Sequence, residues 1–186
     1  MFKANLIVAF ALLVACSVLA ADAPAHGAGW RAALKQQLPL LGHRNWIVVA
    51  DSAYPAQTSP GIVTIETGVS QLEAVQEVLR DLGQSIHVAP IVYVDDELKY
   101  LNDTLTPGIS RYRRDLYKIL GGRPVQGVLH ESLISRLDEA GKTFKVVILK
   151  TNMTLPYTSV FFRLDCKYWG PDGEKKLREI MKKKKG

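Results

Sequence analysis

The sequence predicts an α/β fold: a three-layer α/β/α domain whose sheet is mainly parallel or mixed. Three observations carry that expectation. Short β-branched runs, such as "WIVVA" (46–50) and "TFKVVILKT" (143–151), alternate with longer segments of helical periodicity. Tight hairpin signals are few, so most connections have the length of crossovers. The 186 residues, 47% hydrophobic and 23% charged, suit one domain with a sizeable core.

Residues 1–20, "MFKANLIVAFALLVACSVLA", read as an export signal. Lys3 precedes an apolar run, Leu6 to Ala15, that is too short to span a bilayer as a helix. Two processing routes stand side by side. A general signal peptidase would cut after "SVLA", before Ala21; the lipobox-like "LVAC" would instead leave a lipidated Cys16 as the new N-terminus. The expected location is the bacterial periplasm or envelope. Residues 21–28 form a small-residue linker that includes His26, residues 29–170 the domain, and residues 171–186 a basic helical tail.

Within the domain, Trp30, Leu34, Leu38 and Leu41 have helical spacing, and Pro39 disturbs the last turn. Trp46 to Ala50 is a buried strand by its β-branched run. Pro55, Pro60 and Gly61 mark a loop before a second strand, "IVTIE". Ser70 caps a helix, with Glu73 at capping-box distance; it runs to about Leu82 and ends at Gly83. "HVAPIVYV" (87–94) is a third strand, which Pro90 places at an edge or a bulge.

"DDELKYLN" reads as a short helix; its Asp95, Asp96 and Glu97 look like a metal or acid cluster but are more simply an acidic first turn. Thr106 caps and Pro107 opens a helix to about Leu120, closed by Gly121 and Gly122. Then come a short strand "PVQGVL", a helix "HESLISRLDEA" ending at Gly141, and a buried strand "TFKVVILKT". "YTSVFFRL" (157–164) is the last strand. The tail from Gly173 is a basic helix with a thin apolar stripe of Leu177 and Ile180 or Met181.

The net charge of +6 belongs to the ends of the chain. The tail from Gly173 carries +5 and Lys3 one more, leaving a neutral body. Composition therefore points away from a nucleic-acid surface. Cys16 and Cys166 are the two cysteines, too few for a disulfide scaffold, and "CKYW" has no metal spacing. P-loop, G-x-G-x-x-G, G-x-S-x-G and H-E-x-x-H patterns are absent.

Ligands of α/β sheets collect where strands end. His43 precedes the first strand and Asp51 follows it; His130 follows the strand at 125–129; Tyr157 opens the last strand, with Ser159 two residues on and on the same face. Each has an ordinary structural reading: a turn histidine, a loop cap, a strand aromatic. An extended chain from His43 to Asp51 spans about 26 Å, so the two sit at opposite ends of a straight strand. They would meet only across a subunit interface, or if the chain bends near Arg44.

The whole pattern is more specific than its parts. "LGHRNWIVVADSAYP" resembles the signature of the ribose pyranase and fucose mutarotase family (RbsD/FucU): Gly42, His43, a short hydrophobic strand, Asp51, Ser52 and Pro55. "VVILKTNMTLPYTSVFF" resembles the family's closing segment, and "RYRRDL" and "APIVYV" resemble pieces of the fucose branch. The likeness covers roughly residues 34–164.

It implies a layered α/β/α domain, homo-oligomeric rings (decameric in the best-known cases) with sugar sites between subunits, and interconversion of monosaccharide ring forms without a cofactor. His43 matches the acid/base histidine, Asp51 the aspartate that holds hydroxyls, and Tyr157 a sugar-contacting tyrosine. His130, in "HESL", resembles a sugar-binding "HEQF". Ser159 stands where the family has Asn, and Asn152–Met153 where it has Gly-Glu. Non-catalytic sugar binding is the alternative. A membrane partner is a further expectation, through a lipidated Cys16 or the basic tail on anionic lipid. The sequons at Asn102 and Asn152 would be glycan acceptors in a eukaryotic secretory path, and the second would crowd the proposed site, which favours a bacterial envelope.

Overall fold

A computed structural model describes residues 29–184. The proposed export signal and linker lie outside the described residues. Six strands form one mixed sheet: β1 (Trp46–Ala50), β2 (Ile62–Glu66), β3 (Val88–Asp95), β4 (Val125–Val128), β5 (Val146–Lys150) and β6 (Val160–Cys166). Their order is β2-β5-β1-β6-β3-β4. β6 runs antiparallel to both its neighbours, β1 and β3, while the other pairs are parallel.

The described residues also form five α-helices, α1 (Gly29–Gln37), α2 (Gln71–Gln84), α3 (Ile109–Leu120), α4 (His130–Thr143) and α5 (Pro171–Lys183), of which α2, α3 and α4 connect strands. Strand periodicity divides the core in two. On one face Ile47, Val49, Val147, Leu149, Phe162 and Val92 pack against α1, α2 and α3, through Trp30, Leu34, Val75, Val78, Ile109 and Leu116. On the other, Trp46, Val48, Ile148, Phe161 and Tyr93 pack against Leu133 and Leu137 of α4. These are the three layers the sequence predicts.

β1 and β2 have the bounds that their β-branched runs set. α1 hands over to a 3-10 turn, Leu38–Leu40, at Pro39. Ser70 Oγ accepts the Glu73 amide at 3.3 Å, but the Glu73 carboxylate pairs with Arg31 instead of closing a capping box. Pro90 lies in an interior strand, at a stretch flanked by β6 alone, because β4 pairs only from Val92 onward.

Five expectations are corrected. Gly83 does not stop α2, which runs through it to Gln84. Gly141 does not stop α4; the helix runs through it to Thr143. A Cβ on Gly141 would come within 2.6 Å of Ile62 Cγ1, and one on Gly61 within 2.3 Å of the Gly141 carbonyl, so this glycine pair permits close contact between α4 and the start of β2. The third helix starts at Ile109, not Pro107, behind a left-handed Gly108, and Asp103 Oδ1 accepts the Gly108 and Ser110 amides at 3.0 and 3.2 Å. The acidic run forms a 3-10 turn over Asp96–Lys99, and Asp95 ends β3. Tyr157 does not open the last strand, which begins at Val160; Tyr157 takes a left-handed φ of 55°, so it shares no strand face with Ser159.

Candidate functional site

A sheet with one reversed strand brings unlike sequence positions to one edge. The C-terminal ends of β1, β3 and β4 lie together with the N-terminal end of β6. Asp51 follows β1, Asp95 ends β3, His130 follows β4 and opens α4, and Ser159 precedes β6. Asp51, Tyr54, Pro55, His130, Pro156 and Tyr157 line a cleft of about 300 Å³ at this edge. That is the small end of the usual range for ligand clefts.

His130 is fixed from two sides. Its Nδ1 lies 3.0 Å from Asp95 Oδ1. Its backbone N–H donates to both carboxylate oxygens of Glu97, each at 3.1 Å. Glu97 thereby supplies the negative charge that the start of α4 favours, in a helix without a side-chain N-cap of its own. The Asp95 side chain is wholly buried, and its Oδ2 has no partner among the described residues. Burial pushes its carboxyl up from 3.8 to about 6, opposed by the His130 hydrogen bond and charge and assisted by Glu97 and Asp51. With Nδ1 committed to Asp95, Nε2 is the nitrogen left for the cleft.

Asp51 is held in an Asx turn. Its Oδ1 accepts the Ala53 amide at 2.9 Å, and its Oδ2 faces Ser159 Oγ, whose O–H donates across 3.3 Å. Ser159 is buried, so its hydroxyl serves Asp51 and does not face the cleft. Tyr157 stands edge-on to the His130 ring, centroids 5.6 Å apart and planes at 86°. Tyr54 packs beneath, its phenol pushed up by burial and then by the carboxylates of Asp138, Asp95 and Asp51.

The loop that carries Tyr157 is tied down from the opposite layer. Buried Gln71, at the start of α2, donates from Nε2 to the carbonyls of Val49 and Thr158 at 2.9 and 2.8 Å. Thr151 Oγ1 donates to Gln71 Oε1 at 2.5 Å. Tyr112 of α3 donates its O–H to the Thr158 carbonyl at 2.7 Å, and Thr158 Oγ1 donates to the Leu155 carbonyl at 2.8 Å. These bonds hold the left-handed Tyr157 in place.

Of the residues singled out in the sequence, Asp51, His130, Tyr157 and Ser159 come together. His43 does not: it is exposed at the N-terminal end of β1, the far end of the strand from Asp51. Sequence reasoning missed Asp95, Glu97 and Gln71. The signal for the first two was present as acids directly after a strand, but it is the same signal that an acidic first helical turn gives.

No family model matches this chain, and no curated protein matches it. Solved structures do. The chain is similar to RbsD of Bacillus subtilis complexed with D-ribose, at 19% identity and a TM-score of 0.52, covering 72% of this chain and 92% of that one. It is also similar to the fucose mutarotase of Streptococcus pneumoniae in complex with L-fucose, at 19% identity and a TM-score of 0.50, covering 72% and 91%. At this identity the likeness establishes a shared α/β fold.

Proposed function

We propose that this protein interconverts the ring forms of a monosaccharide, as a mutarotase or pyranase-type isomerase. The observation that carries the reading is the His130–Asp95 pair beside Asp51 and Tyr157 in a cleft sized for one sugar ring. Two structural relatives that hold ribose and fucose support it.

Ring opening needs a proton removed from the anomeric hydroxyl and one delivered to the ring oxygen. The anomeric C–O bond to the ring breaks as the carbonyl forms. Closure on the other carbonyl face yields the other anomer; closure through another hydroxyl changes ring size. In this reading His130 Nε2 moves one proton, with Asp95 balancing the imidazolium. Asp51 accepts sugar hydroxyls and Tyr157 offers its ring to the sugar's apolar face. His43 moves the other proton, supplied by a second copy of the chain, so the assembly is a homo-oligomer. Light scattering that finds only monomer would remove His43 from this role.

Saturation-transfer NMR on a panel including D-ribose and L-fucose tests the activity. Accelerated exchange between anomers supports it, and uncatalysed exchange across the panel contradicts it. A second reading, sugar binding without catalysis, draws on one observation: the Ser159 hydroxyl is spent on Asp51 and leaves the cleft a donor short. It predicts thermal stabilisation by sugar at an unchanged exchange rate. Read as an export signal, residues 1–20 would direct the protein to the envelope; mature protein beginning at Ala21 or at a lipidated Cys16 supports export, and retention of Met1 contradicts it.

A further inference from the structure

At the opposite edge of the sheet, Arg44, Arg136 and Arg163 line a second cleft of about 570 Å³, together with Trp46, Glu139, Ala140, Thr143 and Phe144. Three arginines line this one cleft in a domain whose body carries no net charge. Among the described residues none of the three has a carboxylate partner. The one acid of the cleft, Glu139, accepts from Lys142 Nζ at 2.7 Å.

Each arginine is positioned by the fold. Arg163 lies on β6 between Trp46 of β1 and Ile91 of β3 in the strand register, half-buried on the α4 face. Arg136 of α4 packs over the Tyr93 ring at 5.7 Å, and Arg44 over the Phe144 ring at 5.8 Å. An aromatic face attracts the guanidinium but leaves its in-plane N–H donors unspent. Arg44 takes a left-handed φ of 73°, a conformation in which any Cβ crowds a backbone carbonyl. Its turn is fixed by the Arg44 amide on the Leu164 carbonyl at 2.9 Å, the Gly42 amide on Asn45 Oδ1 at 2.6 Å, and Asn45 Nδ2 on the Lys145 carbonyl at 3.1 Å.

We infer that this cleft binds a phosphate-type dianion, as the free ion or as the phosphoryl group of a small ester. Planar forks with several N–H donors each match tetrahedral oxyanions, and three of them exceed what a single carboxylate requires. The site is separate from the sugar cleft: it lies at the N-terminal end of β1, beside the second half of α4.

Calorimetric titration of the full-length protein at fixed ionic strength tests this, with inorganic phosphate, with glycerol 3-phosphate and with sodium chloride as control. Saturable binding of either phosphate over chloride is expected, and the two arms distinguish a free ion from an ester. Arg136→Gln and Arg44→Asn, which keep an exposed helix position and a left-handed turn respectively, should each weaken binding about ten-fold with unfolding temperature unchanged. Absence of saturable heat, or wild-type affinity retained in both variants, would overturn the site. A change in oligomeric mass in Arg136→Gln without anion binding would assign the cleft to an interface between copies, and would overturn it as well.

Discussion

His130 Nδ1 sits 3.0 Å from Asp95 Oδ1, and the other oxygen of that wholly buried carboxylate has no partner among the described residues. A charge so placed is costly without its histidine. The pair is joined through adjacent parallel strands, β3 and β4, and neither residue is near the other in sequence.

The first prediction concerns pH. The folded-state pKa of Asp95, about 6, lies above its ordinary 3.8, so the folded state binds this proton more tightly. The stabilising contribution is complete below about pH 4 and is lost as pH rises through about 6. Urea unfolding should therefore show wild-type stability falling by roughly 1–2 kcal/mol from this group between pH 5 and pH 8. Asp95→Asn should flatten that slope and slow sugar exchange about 10–100-fold, as loss of a group that orients a histidine does. An unchanged slope in the variant would remove Asp95 as the titrating group.

The second concerns Gln71, which bridges β1 and the Tyr157 loop from the opposite layer. Gln71→Leu leaves two buried carbonyls and a hydroxyl without this partner. A loss of roughly 3 kcal/mol is expected in chemical denaturation. Sugar affinity should weaken with it, because Tyr157 loses its support. A variant as stable as wild type would show that water replaces the amide.

Glycines provide the third. Gly61→Ala would press a methyl to 2.3 Å from the carbonyls of Gly141 and Phe144, while a Cβ on Gly83 meets nothing within 4 Å. Gly61→Ala should cost about 2–3 kcal/mol. Gly83→Ala, inside α2, should instead stabilise by about 0.5–1 kcal/mol. Thermal unfolding of the two variants side by side checks the contrast.

The fourth concerns α5. No residue of this helix is buried, and Leu177, Ile180 and Met181 are exposed alongside six basic residues from Lys175 to Lys184. No described helix is long and apolar enough to cross a membrane. Such a helix is suited to lie on an anionic surface. The protein should pellet with vesicles containing phosphatidylserine and not with neutral ones. Removal of residues 173–186 should abolish pelleting; pelleting that survives the deletion would assign membrane binding elsewhere.

The strands were legible because β-branched runs with turn residues on either side leave few alternatives: β1 and β2 have the bounds their sequences set. The separation of His43 from Asp51 also follows from strand length alone. Asp95 was not legible, since three consecutive acids after a strand look like the first turn of a helix. Its true role depends on β4 lying beside β3, a contact between segments some thirty residues apart. Tyr157 was misplaced for a similar reason. Its left-handed φ is imposed by bonds from Gln71 and Tyr112, which local periodicity does not register. Gly141 looked like a helix stop because glycine serves both as a stop and as a site of close packing, and only the neighbour Ile62 distinguishes them.

The most direct test of the central claim is the rate of anomer exchange measured by saturation-transfer NMR for wild type and His130→Ala at pH 7.5. Wild type should accelerate exchange of its sugar, and His130→Ala should lose about 10²–10⁴-fold of that acceleration while remaining folded. Equal acceleration by the two proteins would contradict the account.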